Sequence, residues 1–338
     1  MTEKRVLSGM RPTGKLHLGH YHGVLKNWLK LQSEYQCFFF VADWHALTTD
    51  YDDTGDLGGN IGEMVLDWLS VGIDPARATI FTQSEIKEHA ELFVLLSMIT
   101  PLSWLERNPT YKEQLQEIEG KDIRTFGFLG YPVLQTADII MYRARLVPVG
   151  IDQAPHLELS REITRRFNHL YGHVFPEPDT LLTEVPKVLG TDGRKMSKSY
   201  ENAVYLSDPP EVMEKKLLQM VTDTARKRKT DPGNPELCPF YETYHALYPD
   251  KERKKWVEEG CKGATIGCIE CKKSVIPEVI EEMRPIQERR SELAGDPLHV
   301  DRVLTEGRSR AAHEAALVME EVRSAMGLNL GGKALSKR

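Results

Sequence analysis

The chain has 338 residues, of which 41% are hydrophobic and 28% charged, as is typical of a globular protein with one large or two moderate domains. Its net charge of −6 excludes a broad basic surface for nucleic acid, although residues 226–229 form a local basic patch that is either an RNA contact or a solvated loop. The longest apolar run, residues 37–42, is too short to cross a bilayer and the chain starts without an apolar targeting segment, so we expect a cytoplasmic protein with no membrane partner.

Strand and helix patterns alternate in the first part of the chain. Residues 5–9 are a short apolar stretch followed by Pro12 and Gly14, and helical spacing then extends over residues 18–31. The next segments in chain order are a strand at 36–43, a helix at 61–71 and a strand at 78–83. This alternation predicts an α/β fold with a Rossmann-like, doubly wound parallel sheet that binds its ligands at the carboxyl ends of the strands.

Helical patterns dominate the rest of the chain. Helices are predicted at 90–99, 111–118, 136–142 and 156–167, with a strand at 146–149 and a loop at 175–193. After residue 199 the strand signal largely disappears, and the segments 210–220, 276–293 and 313–326 have helical spacing. We therefore predict a catalytic domain with a helical insertion over residues 1–205 and an all-helical domain over residues 206–338.

Two short motifs have the residue types expected of a nucleotide-phosphate site. Residues 17–20, His-Leu-Gly-His, follow the first strand, where a glycine lets a ligand approach the backbone and imidazoles can donate hydrogen bonds to oxygens that gain charge. Residues 195–199, Lys-Met-Ser-Lys-Ser, form a polar loop whose two ammonium groups can close on a triphosphate. Taken alone, the first motif could be a chance match and the second a basic surface loop. Together they predict an enzyme that activates a carboxylic acid with ATP.

This pair of motifs resembles that of the class I aminoacyl-tRNA synthetases, and further segments are similar to the bacterial tryptophanyl-tRNA synthetase family. The similar segments, spread over essentially the whole chain, are residues 8–14, 42–46, 131–138, 149–153 and 284–287. The resemblance implies ATP with Mg²⁺, L-tryptophan and tRNA(Trp) as partners, and a homodimer that forms around the helices after Gln83. It also implies catalysis by orientation and electrostatics, without a covalent enzyme intermediate.

The resemblance also implies a role for individual positions. The catalytic residues would be His17, His20, Lys195 and Lys198. The ATP site would comprise Arg11, Pro12, Thr13, Gly19, His20, Gly150, Ile151, Asp152, Val188, Lys195, Met196, Ser197, Lys198 and Ser199, with Gly150 and Asp152 at the ribose and Val188 against the adenine. The tryptophan site would comprise Leu7, Gly9, His45, Tyr131, Gln135, Asp138 and Gln153. Arg11 stands where many members of the family have glutamine.

Asp138 is also singled out by its surroundings. A carboxylate beside the apolar residues 139–141 of a helical segment is costly unless it has a partner, and the indole N–H of tryptophan would be one. The alternative is an aspartate that faces solvent or caps a backbone group. Because Tyr131, Gln135 and Asp138 have the same spacing in tyrosine-specific relatives, this motif alone leaves a tyrosine-specific enzyme open.

Four of the five cysteines are grouped in the second half of the chain: Cys238, Cys261, Cys268 and Cys271. In a cytosolic protein such a group is more typical of a metal site than of disulfides, whereas Cys37 is predicted to be a small core residue. Zinc and an iron–sulfur cluster both remain open, since only the last two cysteines form the close pair that zinc sites usually repeat. The spacing resembles that of a subset of bacterial tryptophanyl-tRNA synthetases, which implies a [4Fe-4S] cluster with a structural or tRNA-recognition role.

The sequence therefore predicts an ATP-dependent tryptophan–tRNA ligase. One rival is a small-molecule adenylyltransferase, but such enzymes lack the second motif in this form and a long helical C-terminal domain. Another rival is a non-catalytic paralogue that binds RNA or senses iron or redox state. The intact His17, Lys195, Lys198 and Asp138 argue against that paralogue.

Overall fold

A five-stranded, wholly parallel sheet forms the centre of the computed structural model, which describes residues 4–109, 111–112, 123–150, 154–182 and 187–328. The strand order is β3-β2-β1-β4-β5. In chain order the strands are β1 (Arg5–Met10), β2 (Gln36–Val41), β3 (Ala78–Thr82), β4 (Leu146–Val149) and β5 (Asp179–Leu182). The predicted α/β fold with a parallel sheet is confirmed.

Helices cover both faces of this sheet and make up the C-terminal region. They are α1 (Leu18–His20), α2 (Lys26–Glu34), α3 (Asp43–Asp50), α4 (Leu57–Val71), α5 (Glu88–Ser97), α6 (Leu102–Glu106), α7 (Phe126–Met141), α8 (Ala154–Tyr171), α9 (Pro210–Gln219), α10 (Lys251–Lys262), α11 (Cys268–Lys273), α12 (Ile276–Ala294) and α13 (His299–Ala325). A π-helical turn at Tyr21–Leu25 joins α1 to α2. Within the described ranges, no helix combines the length and apolarity that a membrane span requires.

The interior strand β2, between β3 and β1, explains why the longest apolar run of the chain is not amphipathic. Cys37 and Phe39 enter the hydrophobic cluster on one face of the sheet, whereas Phe38 and Phe40 enter the cluster on the other. Cys37 is thus a core residue, as predicted. A strand buried on both faces has no polar side, because parallel sheets are covered by helices on both faces.

Three predicted boundaries are wrong because packing overrides local signals. The last helix, predicted at 313–326, begins at His299. The predicted loop at 175–193 contains β5, a short edge strand flanked by prolines. The predicted helix at 136–142 begins at Phe126, since Thr125 caps it by accepting a hydrogen bond from the Phe128 N–H at 3.1 Å, and Pro132 is accommodated inside it. Helices α3, α6, α10 and α11 were not predicted, and most of the predicted helix at 111–118 lies outside the described residues.

The last helix, α13, packs directly on the sheet. Gly307 approaches β3 so closely that a Cβ there would overlap the Ile80 carbonyl, and Ala311 and Ala315 share a buried cluster with Phe81. The helical region that follows residue 205 therefore completes the core of the sheet rather than standing apart from it.

Candidate active site

The first motif forms a tight turn at the start of α1. The rings of His17 and His20 lie 3.8 Å apart, and His20 Nδ1 accepts a hydrogen bond from the His17 backbone N–H at 3.3 Å. The His17 ring also covers Gly19, where an added Cβ would lie 2.9 Å from Nδ1. A glycine is therefore needed at position 19, because the His17 ring occupies the space that a side chain would take. The sequence alone did not indicate this reason. Within the described part of the chain, His17 Nδ1 is buried and has no hydrogen-bond partner.

The electrostatics of this turn favour an anion. Burial, together with the positive charge of Lys198, lowers the pKa of His17 to about 4. Burial and the charges of His17 and Lys198 also lower the pKa of His20, and burial lowers the pKa of Lys198 to about 8. Three basic groups with lowered pKa values, His17, His20 and Lys198, therefore lie close together. A bound phosphate would stabilise their protonated forms.

The second motif lies against the first. Lys198 Nζ donates hydrogen bonds to the Thr13 carbonyl and to Thr13 Oγ1, the latter at 3.2 Å. Met196 is buried beside Gly19, its Cβ 3.7 Å from the position that a Cβ on that glycine would occupy. The two motifs, distant in sequence, therefore form one site.

A hairpin carries this second motif and is fixed by one buried amide. The Met196 N–H donates to the Val188 carbonyl at 3.0 Å, and the Val188 side chain is buried in the core. Asn202, only 1% exposed, accepts from the Ser197 N–H at 2.8 Å and donates to Asp192 Oδ1 at 2.7 Å. Asn202 was not predicted, since its role depends on these contacts rather than on a local pattern. Lys195 and Ser199 remain exposed on the loop.

A cavity opens beside β1, at the carboxyl ends of the strands. Of the predicted residues, Leu7, Gly9, Arg11, His45, Tyr131, Gln135, Asp138 and Gly150 line it, joined by Phe40, Phe128 and His156, which were not predicted. Helix α7 places Tyr131, Gln135 and Asp138 on one face, since they are spaced by four and three positions. The predicted Ile151, Asp152 and Gln153 lie outside the described residues, and Pro12 is buried next to Thr13.

Asp138 lies at the bottom of the cavity and is 1% exposed. Its carboxylate accepts hydrogen bonds from His45 Nε2 at 2.8 Å, from His89 Nδ1 at 2.6 Å and from Gln83 Nε2 at 2.8 and 2.9 Å. His89 Nε2 in turn lies 2.8 Å from the Tyr142 hydroxyl. Burial alone would raise the pKa of Asp138, but the hydrogen bonds from His45 and His89 outweigh it and hold the pKa below its usual value. The carboxylate is therefore ionised at neutral pH.

Two of these donors were not predicted from the sequence. Gln83 directly follows β3, and its position at the carboxyl end of a strand was a usable signal. His89, in contrast, lies in the first turn of α5, in a segment whose pattern indicated only a helix. His89 reaches Asp138 because α5 packs against α7, and no local sequence pattern predicts that packing.

A second set of hydrogen bonds organises another part of the cavity wall. The Tyr131 hydroxyl lies 2.9 Å from His156 Nε2, and Asn108 Nδ2 lies 3.1 Å from His156 Nδ1. Arg11 donates to Thr49 Oγ1 and to Asp50 Oδ2, the latter at 3.1 Å. These contacts hold Tyr131 and the Arg11 guanidinium at the rim of the cavity.

A separate cavity is lined by all four grouped cysteines: Cys238, Cys261, Cys268 and Cys271. None of them forms a disulfide. Burial raises the pKa of the Cys271 thiol to about 12, with a further contribution from the other three thiols. Over the described ranges, no three histidine, cysteine or carboxylate side chains are arranged to hold a metal ion, so the predicted metal geometry is not present as such.

The chain matches known proteins over most of its length. Residues 2–283 match the family described as tRNA synthetases class I (W and Y). The chain is 54% identical to the tryptophan–tRNA ligase of Thermotoga maritima, over 96% of this chain and 99% of that relative, and 47% identical to that of Aquifex aeolicus, over 96% and 100%. It is also similar to the crystal structure of tryptophanyl-tRNA synthetase from Campylobacter jejuni complexed with ADP and tryptophan, with a TM-score of 0.83 and 33% identity over 96% of this chain and 100% of that one.

Replacing His89 by Leu is expected to lower the free energy of unfolding by about 3 kcal/mol at pH 7, because the buried Asp138 carboxylate loses a donor. Urea unfolding would measure the loss. In the folded wild type the pKa of Asp138 is below its unfolded value, so its contribution is present above that value and lost as the pH falls. The difference between the two proteins should therefore shrink below about pH 4.

The matched control is His169→Leu, which alters an exposed histidine on α8 and should change stability by less than about 0.5 kcal/mol. A similar loss in both variants, or a loss at His89 that does not vary with pH, would contradict the assigned role of Asp138.

Proposed function

Because the chain belongs to the class I tRNA synthetase family specific for tryptophan and tyrosine, we propose that it is a tryptophan–tRNA ligase. It activates L-tryptophan with ATP to tryptophanyl-adenylate and pyrophosphate, and then transfers the aminoacyl group to tRNA(Trp). The observation that carries this function is the contact of Lys198 with Thr13 and of Met196 with Gly19. These contacts place a loop with two lysines on the histidine motif, next to a cavity that ends in an ionised carboxylate.

The cavity suits the side chain of tryptophan. Leu7 and Phe40 provide apolar walls, and the Phe40 ring lies 2.5 Å from where a Cβ on Gly9 would be, so a glycine is needed there. Asp138 would accept the indole N–H, and of its three donors only His45 lines the cavity, so the indole would approach from that side. Tyr131 and Gln135, with Gln153, would hold the ammonium group.

A site built around a buried acceptor discriminates strongly. A ligand that lacks the matching N–H leaves the Asp138 carboxylate without that donor, which can reject analogues by a factor of about 10⁴. The acceptor therefore selects for a side chain that carries a hydrogen-bond donor, and the choice of tryptophan over tyrosine rests on the similarity to tryptophan–tRNA ligases.

The two motifs would hold ATP. The nucleotide site would be lined by Arg11, Pro12, Thr13, Gly19, His20 and Ile151. Gly150 and Asp152 would contact the ribose, and Val188 would lie beside the adenine. The phosphates would be followed by Lys195, Met196, Ser197, Lys198 and Ser199. Mg²⁺ would arrive with ATP, since it binds mainly through phosphate oxygens and water. The tryptophan carboxylate would attack the α-phosphate in line as pyrophosphate leaves.

Catalysis would come from positioning and charge rather than from a covalent intermediate. His17 and His20, which are neutral at pH 7, can donate hydrogen bonds to the phosphate that is attacked, and Lys195 and Lys198 can offset the negative charge on the departing pyrophosphate. Of these donors, Lys198 already contacts the Thr13 carbonyl beside the first motif, so it would need little reorganisation to reach the phosphates.

The C-terminal region would bind tRNA. Residues 226–229 and Lys273 line a groove beside Cys268, and this basic surface can contact the phosphates of an RNA loop. We therefore keep the predicted division at residue 205 as one of binding sites: residues 1–205 would carry the ATP and tryptophan sites, and residues 206–338 would carry the surface for the anticodon. Because ATP and tRNA are cytosolic, the enzyme would work in the cytoplasm.

The four cysteines would hold a [4Fe-4S] cluster. Their thiols surround one cavity, and Arg226 Nη1 lies 3.8 Å from Cys261 Sγ and 4.0 Å from Cys268 Sγ, where it can stabilise negative charge on sulfur. A single zinc ion needs four ligands within about 2.3 Å of one point, whereas a cube of iron and sulfide spans a wider set of thiols. A bound cluster would hold the loop before α10 to the start of α11, and the proposed reaction needs no electron from it.

A homodimer would form around α5, α6 and α7. Met98 and Phe126 are 74% and 71% exposed, and Val94 and Leu102 on the same group of helices are also exposed. Apolar side chains grouped on helices that pack together are typical of a surface that another copy covers.

Pyrophosphate exchange tests the adenylation reaction. The wild type is expected to exchange pyrophosphate into ATP with tryptophan and far more slowly with tyrosine. Lys195→Ala should lower the exchange rate about 100-fold and change the KM for tryptophan little, since this lysine interacts mainly with the leaving phosphates. An unchanged rate, or equal rates with both amino acids, would contradict the proposal.

Aminoacylation of tRNA(Trp) with the same preparations tests the second reaction and the division of function. Arg228→Gln, in the basic groove, should raise the KM for tRNA and leave exchange unchanged. If the pyrophosphate exchange rate of Arg228→Gln falls together with its aminoacylation rate, the groove does not act in tRNA binding alone, and the division of function is wrong.

Protein purified without oxygen is expected to contain about four iron atoms per chain and to absorb visible light. Cys268→Ser should remove most of the iron, whereas Cys37→Ala, in the core, should not. One zinc per chain without visible absorption would exclude the cluster and favour the zinc alternative.

Sedimentation equilibrium should give twice the chain mass of 38.5 kDa. Phe126→Glu should shift the mass toward that of one chain, because it places a charge in the apolar surface. Leu298→Glu, at an exposed apolar residue before α13, is the control and should leave the dimer intact. A wild type with the mass of one chain would rule the dimer out.

A further inference from the structure

Side chains of α12 support the first motif from both sides. On one side the Leu16 N–H donates to Asp67 Oδ2 at 2.7 Å, and Asp67 Oδ1 accepts from Arg290 Nε at 2.7 Å. On the other side the Leu16 carbonyl accepts from the Leu206 N–H at 2.9 Å, and the Leu206 carbonyl accepts from Gln287 Nε2 at 3.3 Å. Leu16 immediately precedes His17, so both of its peptide groups are fixed through this helix.

Gln287 and Arg290 are three positions apart and therefore lie on one face of α12. Gln287 also donates to the Asp208 carbonyl at 2.8 Å. The strand-like segment that it holds continues beside the first motif, where the Leu18 N–H donates to the Val204 carbonyl at 3.0 Å. The helix thus controls both the segment that enters the histidine motif and the segment that leaves the lysine loop.

The Asp67 end of this network is buried, unlike an ordinary surface ion pair, and the Arg290 side chain is only 17% exposed. Asp67 is fully buried, and Arg290 also donates through Nη2 to Glu63, one turn earlier on α4, at 2.6 Å. A buried carboxylate that loses its cationic partner is strongly destabilised, so the fold has a reason to keep Asp67 and Arg290 in this geometry. Asp67 is also close enough to Lys198 for its negative charge to favour the protonated ammonium.

We propose that Gln287 and Arg290 are positioning residues for adenylate formation, acting through Leu206 and Asp67 to set where His17 and Gly19 meet the phosphates of ATP. This inference rests on the proposed function. The tryptophan cavity is built mainly by β1, α3 and α7, so its affinity should not depend on these two side chains. A displacement of the motif by about 1 Å would reduce the rate, because reacting groups must be aligned closely.

The test compares Gln287→Met and Arg290→Met with Arg284→Met. Arg284 is exposed on the same helix and pairs only with Glu281 one turn earlier among the described residues, so it is a matched control. Exchange rates are measured with tryptophan and ATP varied separately, at a temperature well below the unfolding midpoint of each variant. Arg290→Met is expected to lower kcat about tenfold and Gln287→Met several-fold, both with a higher KM for ATP and a tryptophan KM within about twofold of wild type. Arg290→Lys, which keeps the charge but not the geometry, should recover part of the loss, and Arg284→Met should equal wild type.

Two results would overturn the inference while leaving the proposed function intact. In one, wild type is active and Arg290→Met keeps its kcat although its unfolding midpoint falls, which would make the residue purely structural. In the other, the KM values for tryptophan and ATP rise together, which would indicate general loosening of the site. A wild type that exchanges no pyrophosphate with tryptophan would instead refute the proposed function, and this inference with it.

Discussion

An ionised carboxylate that is removed from water must be matched by donors, and this constraint organises the site. Asp138 lies beneath the cavity and Asp67 lies behind the first motif. Each has partners from distant parts of the chain. Asp138 is paired with His45 and His89, and Asp67 is paired with Arg290. Because these charges are costly without their partners, the sheet, α7 and α12 are held in one relative arrangement. The cavity and the turn at residues 17–20 are therefore held side by side, and a site fixed in this way needs little reorganisation during a reaction.

The fold could be predicted where burial imposes a local pattern. Strands β1 to β4 and most of the longer helices follow from apolar spacing, since parallel strands covered on both faces become continuous apolar runs. Strand β5 and the first half of α7 could not, because prolines and glycines mask them and only packing against neighbours stabilises these segments. Helix α3 begins at Asp43 directly after β2, so the strand signal concealed it.

The site could be predicted where a residue type has an intrinsic chemical meaning. A carboxylate in an apolar helix and lysines in a polar loop indicate function by themselves. In the structure Asp138 lies at the cavity and Lys198 lies beside the turn at residues 17–20. Gln83, His89 and Asn202 could not be found in this way, because an amide or a ring in an ordinary segment becomes significant only through its partner. Gly19 shows a further limit: the sequence indicated room for a ligand, whereas the structure shows that the His17 ring already uses that space.

The close approach of Gly307 to the Ile80 carbonyl also affects how the protein is made. In chain order β3 is synthesised long before α13, the helix that covers it. During translation an apolar surface of the nascent sheet therefore stays uncovered, and it must be protected from aggregation, for example by a chaperone. A product of premature termination that lacks α13 would keep this surface exposed, so it would be removed by quality control rather than persist as a shorter enzyme.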